Sequence, residues 1–138
     1  MKLARGSRPL VIRVFAAAFL AAALLRLVRG LGDLAASQAD FAAHAPWASW
    51  NRDWTIVTLS AEFTIALIPL VWIYLFAAPF ARWLVLGFGA LRLAFLDPAA
   101  LVGAVLVAVA MASLLTPGAA RWFDRKAAEE EDGPAVFE

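Results

Sequence analysis

Few residues in this chain could do chemistry, and the first is a glutamate inside an apolar run. Glu62 stands near the middle of TIVTLSAEFTIALIPL, residues 55–70. A carboxylate at bilayer depth is costly, so it usually pairs with another charge or helps to move an ion or a proton. Glu62 therefore raises the main functional question, which is whether it holds helices together or serves a pathway.

Arg92 is the predicted partner of Glu62, and Arg26 is the competing partner. At ~1.5 Å per residue, Glu62 lies about 12 Å below the outer end of its helix and Arg92 about 15 Å above the inner end of the next helix. Both charges then reach similar depths in a hydrocarbon layer roughly 30 Å thick. Helices joined by a short hairpin are usually neighbours, so we predict a Glu62–Arg92 pair. Arg26 lies higher, on the first helix.

The helix face that carries Glu62 has polar residues on its outer side and a proline on its inner side. Thr55, Thr58, Glu62 and Pro69 follow helical spacing and share one face of the second helix. Pro69 removes an amide donor and crowds the preceding turn, which predicts a kink. Such a face is typical of ion or proton pathways and also of helices joined by a buried ion pair. We favour the ion pair, because the predicted spans contain no second acidic relay residue.

Other kinds of site find little support. The chain has no cysteine and one histidine, His44, which excludes disulfides, thiolate sites and a zinc site built by histidines. The serines lack a nucleophile elbow, no glycine loop is spaced to hold phosphates, and no basic surface suits nucleic acid. We expect no catalytic residue, metal, cofactor or nucleic-acid partner; an intramembrane enzyme is the exception left open.

Composition places these residues in a membrane protein. The 138 residues are 64% hydrophobic and 17% charged, with a mean hydropathy of +0.79. The apolar block 54–96 is too long for one crossing and is divided by AAPFAR, where proline favours a turn. We predict an all-α domain, residues 1–117, with four transmembrane helices at about 10–31, 54–77, 80–96 and 98–116. The last would begin with a cap at Asp97. A three-span version, with 80–96 lying in the interface, is the alternative.

Charged and aromatic residues predict the orientation. The basic residues that fall on one side mark it as cytoplasmic in a bacterial inner membrane, with both termini inside; they are Lys2, Arg5, Arg8, Arg13, Arg82, Arg121, Arg125 and Lys126. Tryptophans form two predicted belts of interfacial anchors, Trp47, Trp50 and Trp54 outside and Trp72, Trp83 and Trp122 inside. A cleaved signal peptide is the rival interpretation of the first helix, but Arg13 and the length of the run favour retention.

The outer loop, residues 32–53, is predicted to contain a short interfacial helix. Trp47, Trp50 and Trp54 are spaced by three and four, as on one helical face. We expect this face to anchor the loop to lipid. The alternative is that His44 and the tryptophans form a binding surface.

Small residues and the tail complete the prediction. Ala100, Ala104, Ala108 and Ala112 form a stripe that lets another helix approach closely, either within the chain, which we favour, or on a partner. Residues 118–138 are predicted to be a cytoplasmic juxtamembrane segment followed by a mobile acidic tail.

Together these features favour a non-catalytic accessory or assembly component of a membrane complex, in contact with lipid and with other membrane subunits or itself. A small transporter or ion-pathway protein using Glu62 is the alternative.

Overall fold

A computed structural model describes residues 8–94 and 101–131, and their side chains except those of 91–94 and 125–131. All regular structure in these ranges is helical, which confirms the predicted all-α class. The helices are α1 (Leu10–Gly32), α2 (Leu34–His44), α3 (Arg52–Phe76), α4 (Pro79–Ala94), α5 (Leu101–Leu115) and α6 (Pro117–Glu131). The predicted cap at Asp97 lies outside the described residues.

The turn between α3 and α4 lies where the sequence predicts it. Ala77 adopts the left-handed conformation, with φ 48° and ψ 40°, and its N–H donates to the Ile73 carbonyl. The Ala78 N–H donates to the Trp72 carbonyl at 3.1 Å, so carbonyls at the end of α3 are satisfied within the turn. Pro79 then begins α4, where its missing N–H costs nothing. Two residues therefore reverse the chain.

Polar caps define the outer loop. The Asp33 carboxylate accepts from the Ala36 N–H at 3.0 Å and begins α2 directly after α1. The Asn51 side chain accepts from the Trp54 N–H at 2.9 Å and begins α3. The predicted short helix exists, but it occupies the first half of the loop.

Among the described residues, two helices, α1 and α3, are long and apolar enough to cross a membrane, with mean hydropathies of 2.2 and 2.0 over their best windows. The pair formed by α5 and residues 117–124 also qualifies if it is taken as one span, bent by 59°. At 16 residues, α4 is about 24 Å long, shorter than a hydrocarbon layer of roughly 30 Å.

The main core lies at one end of the molecule. Helix α1 packs against both α3 and α5, and α4 contacts α3 and α5. The start of α1, the α3–α4 turn and the bend between α5 and α6 meet there. The core cluster includes Ile12, Phe15, Ile73, Ala77, Ala78, Ala81, Val85, Ala110, Leu114, Ala119, Trp122 and Phe123. These contacts hold one end of the assembly together.

The alanine stripe does not face this core. The buried residues of α5 are Gly103, Val107, Ala110, Ser113 and Leu114. Ala108 and Ala112 are exposed and Ala104 is partly exposed, while Ala100 lies outside the described residues. The favoured intramolecular role is thus wrong for Ala108 and Ala112, because the helix turns a different face inward. A contact with another chain stays a prediction.

The first part of the predicted tail is helical, and its mobility stays a prediction. Residues predicted to begin a mobile acidic segment continue as α6 through Glu131. Pro117 suits the first turn of a helix, and the alanines and glutamates that follow are strong helix formers. Gly118 lies beside α1, where an added Cβ would be 3.3 Å from Val11. The first turn of α6 therefore belongs to the packed structure.

Candidate functional site

Glu62 contacts the guanidinium of Arg26. The Arg26 Nε donates to the Glu62 Oε2 at 3.3 Å, and the Arg26 Nη2 lies 3.6 Å from the Asp40 Oδ2. The guanidinium also lies over the Phe41 ring, 5.8 Å from its centroid. We call Arg26, Asp40 and Glu62 the Arg26 cluster. It joins α1, α2 and α3.

One positive and two negative charges give the Arg26 cluster a net charge of −1. The side chains of Arg26, Glu62 and Asp40 are 35%, 41% and 47% exposed in the isolated chain, so neither carboxylate is sealed in the core. His44 extends the cluster outward. Its Nδ1 lies 2.8 Å from the Asp40 carbonyl and 3.4 Å from the Asp40 Oδ1, but its side chain is 80% exposed.

Helix geometry explains why Arg26 reaches Glu62. Arg26 lies six residues before the end of α1, or about 9 Å along the axis, and Glu62 lies ten residues into α3, about 15 Å. A long arginine side chain can span the remaining difference of about 6 Å. The Arg92 side chain lies outside the described residues, so the favoured Glu62–Arg92 contact stays a prediction. The competing partner, Arg26, makes the contact that the structure describes.

A cavity of about 730 Å³ lies below the Arg26 cluster, between α1, α3 and α4. Its wall on α3 runs from Leu59 to Trp72, thirteen residues or about 20 Å. Among the described side chains, the charged ones that line it are Arg26 and Glu62, and Val107 of α5 also lines it. The rest of the lining is largely apolar. We call this elongated cavity the slot; Arg26 and Glu62 lie at its end nearest the outer loop.

The residues of the predicted polar face of α3 lie in two different environments. Glu62 and Pro69 both line the cavity, as their spacing suggests. Thr55 is fully buried, and its hydroxyl donates to the Asn51 carbonyl at 2.8 Å. Thr58 is partly buried and does not line the cavity. The upper part of the face thus serves helix packing and capping, while the lower part borders the slot.

The outer tryptophans do not share one helical face, so that prediction is wrong. Helix α2 ends at His44, and Pro46 follows, so Trp47 and Trp50 lie in an irregular segment. Trp47 is 87% exposed. Trp50 stacks on Phe41 at 5.0 Å between centroids, and its Nε1 donates to the Ala45 carbonyl. Trp54 is exposed in the first turn of α3.

The inner tryptophans have three different environments. Trp83 is exposed, as an interfacial anchor requires, whereas Trp72 lines the cavity and meets Phe80 edge-on at 4.8 Å between centroids. Trp122 is only 4% exposed, and its indole N–H has no hydrogen-bond partner in the described structure. Trp122 is a core residue, and its assignment as an interfacial anchor is wrong.

Sequence reasoning missed Asp40 and Phe41 as members of this region. Both lie on α2, which folds back towards α3, and no local pattern in a polar loop reveals that contact. The available signal was charge: Asp40 is an acidic residue in the outer loop, which follows Arg26 and Arg29 in the sequence.

Among the described residues, no group of three or more histidine, aspartate or glutamate side chains is placed to hold a metal ion. No protein-family model, curated protein or solved structure matches the chain.

Proposed function

We propose that the chain is a multi-pass protein of a bacterial inner membrane, with α1, α3, α4 and α5 each crossing the bilayer and both termini in the cytoplasm. The length and hydropathy of α1 and α3 support insertion. Basic residues at one end support the orientation. Arg8 donates to the Tyr74 carbonyl near the end of α3, and the Arg82 guanidinium lies over the Phe123 ring of α6.

Topology can be tested with single cysteines, because the natural chain has none. Ser49 and Asp124 are exposed and lie at the two ends of the molecule. In intact spheroplasts, Ser49→Cys should react with an impermeant maleimide and Asp124→Cys should react only after detergent is added. Ser37 is less suitable, because it is buried and donates to the Gly30 carbonyl at 3.1 Å. Labelling of Asp124→Cys from outside would reverse the orientation.

Within that membrane the proposed role is that of a non-catalytic accessory or assembly component. The observation that carries this role is the outward face of α5, where small residues remain free of the chain's own core. Small residues allow close approach between membrane helices, where dispersion replaces the hydrophobic driving force of water. A second membrane helix is therefore the proposed neighbour of α5.

Leucine substitutions can separate packing within the chain from packing with a partner. Ala110→Leu should destabilise the isolated protein by about 1–3 kcal/mol, because Ala110 is fully buried. Ala108→Leu should leave that stability unchanged and should instead remove a partner or second copy from the gently extracted complex, measured by native mass spectrometry. Val105→Leu, on an exposed position, is the matched control. An identical complex for all three variants would contradict the accessory role.

A transport role is the second candidate, and the position of Glu62 on the cavity wall favours it. A carboxylate beside an open slot can exchange a cation or proton, whereas a sealed ion pair cannot. In proteoliposomes with an imposed pH gradient, this role predicts that Glu62→Gln folds normally but loses proton flux. Equal flux from wild-type and Glu62→Gln vesicles would remove this candidate.

A further inference from the structure

Exposed apolar side chains line the cavity below the Arg26 cluster. They include Ile65, Ile68 and Phe88, which are 63%, 45% and 68% exposed in the isolated chain. These are apolar side chains on α3 and α4, at heights that the proposed insertion places in the hydrocarbon layer. An occupant would therefore enter from the lipid phase, which selects for molecules that partition into membranes.

The slot is bordered by a close contact between α4 and α5. Near the turn, α3 and α4 lie close together, and at Gly89 α4 approaches α5 so closely that an added Cβ would lie 2.6 Å from the Met111 sulfur. Gly89 itself lines the cavity. Close packing of α4 on α5 at Gly89 therefore forms part of the wall of the slot.

Charge decides what kind of polar group the occupant would carry. Arg26 is shared by Glu62, which lines the slot, and by Asp40, which lies beside the slot without lining it, so the three side chains together carry one net negative charge. In surroundings of low polarity, a net charge at the end of a slot interacts strongly with a charge placed beside it. A cation next to Glu62 would neutralise the cluster, whereas an anion would add a second uncompensated negative charge.

We propose that this slot is a binding site for a lipophilic cation, a molecule with an apolar body held between α1, α3 and α4 and one positive charge placed against Glu62. Aromatic side chains assist, because Phe63, Trp72 and Phe88 line the slot and present rings to an apolar or cationic group. The site rests on the proposed insertion into a membrane but on neither of the two proposed roles, since an accessory subunit and a transporter could both bind such a ligand.

Two probes of nearly equal size and opposite charge test the proposal on the unmodified protein. Tetraphenylphosphonium is a cation and tetraphenylborate is an anion of similar shape. Equilibrium dialysis of the detergent-solubilised protein, with empty micelles run in parallel, should give saturable binding of the cation. Its Kd should be at least about tenfold lower than that of the anion, equivalent to about 1.4 kcal/mol.

Three variants assign the binding to this slot. Glu62→Gln should remove the preference for the cation, and Ala66→Phe, which fills the slot, should abolish binding of both probes. Ser60→Ala is the matched control, because Ser60 is exposed on the same helix and its hydroxyl donates only to its own helix, at the Ile56 carbonyl. Size-exclusion profiles and helical circular dichroism establish that each variant is folded.

The comparison of the two probes on wild-type protein tests the preference for a cation even if a variant fails to fold. Equal binding of the two probes, or tighter binding of the borate, would overturn the cationic assignment. Binding that does not saturate beyond the empty-micelle level would mean that the slot holds only lipid or detergent chains, and would overturn the site. A preference for the cation that survives in folded Glu62→Gln would place the cation elsewhere and would also overturn it.

Discussion

Replacing Arg26 by glutamine should lower the free energy of unfolding by about 1–3 kcal/mol, because Glu62 and Asp40 would lose the guanidinium that lies between them. Removing the guanidinium leaves two carboxylates without a counter-charge, at a level that the proposed insertion places within the bilayer. Unfolding with sodium dodecyl sulfate in mixed micelles, followed by tryptophan fluorescence, measures the change. Arg13→Gln is the matched control, since Arg13 is an exposed arginine on the same helix.

A double-mutant cycle separates an ion pair from two independent polar residues. Glu62→Gln alone should also destabilise the protein, and the double variant Arg26→Gln/Glu62→Gln should be more stable than the sum of the single effects predicts, by about 0.5–2 kcal/mol. Strictly additive effects would contradict the pair. The same cycle with Arg92→Gln tests the other partner, and coupling there but not with Arg26 would restore the interpretation favoured by the sequence.

Much of the helical architecture follows from the sequence because its signals are local. A long apolar run, a proline and a small-residue turn are enough to place α1, α3 and the break before Pro79. The position of Glu62 on one helix face with Pro69 also follows from counting residues. Both residues do line the same cavity.

The sequence did not predict which face each helix turns inward, nor which distant segments of the chain fold back into contact. The alanine stripe on α5 is regular, yet the helix buries Gly103 and Ala110 instead, because the partners on α1 and α4 decide which face turns inward. Asp40 enters the Arg26 cluster only because α2 folds back beside α3. Hydropathy is nearly uniform around such helices, so it carries little information about either choice.

A second large effect is expected at Gly30 of α1, which packs tightly against Leu59 of α3. A Cβ placed on Gly30 would lie 2.5 Å from the Leu59 Cδ2, and Leu59 is 1% exposed, so its side chain has little room to move. Gly30→Val should therefore destabilise the protein by about 1–3 kcal/mol. Gly32→Val is the matched control, because a Cβ at Gly32 would meet nothing within 4 Å.

Shortening the opposing side chain should relieve the clash. Gly30→Val combined with Leu59→Ala should cost less than the sum of the two single changes, because valine then occupies space that leucine has left. Gly30 lies one turn above Arg26, so separating α1 from α3 there should also lengthen the Arg26–Glu62 contact and weaken the coupling measured in the first cycle. Additive losses of stability from Gly30→Val and Leu59→Ala would show that this contact does not fix the spacing of α1 and α3. An unchanged Arg26–Glu62 coupling in Gly30→Val would show that the contact does not position the ion pair.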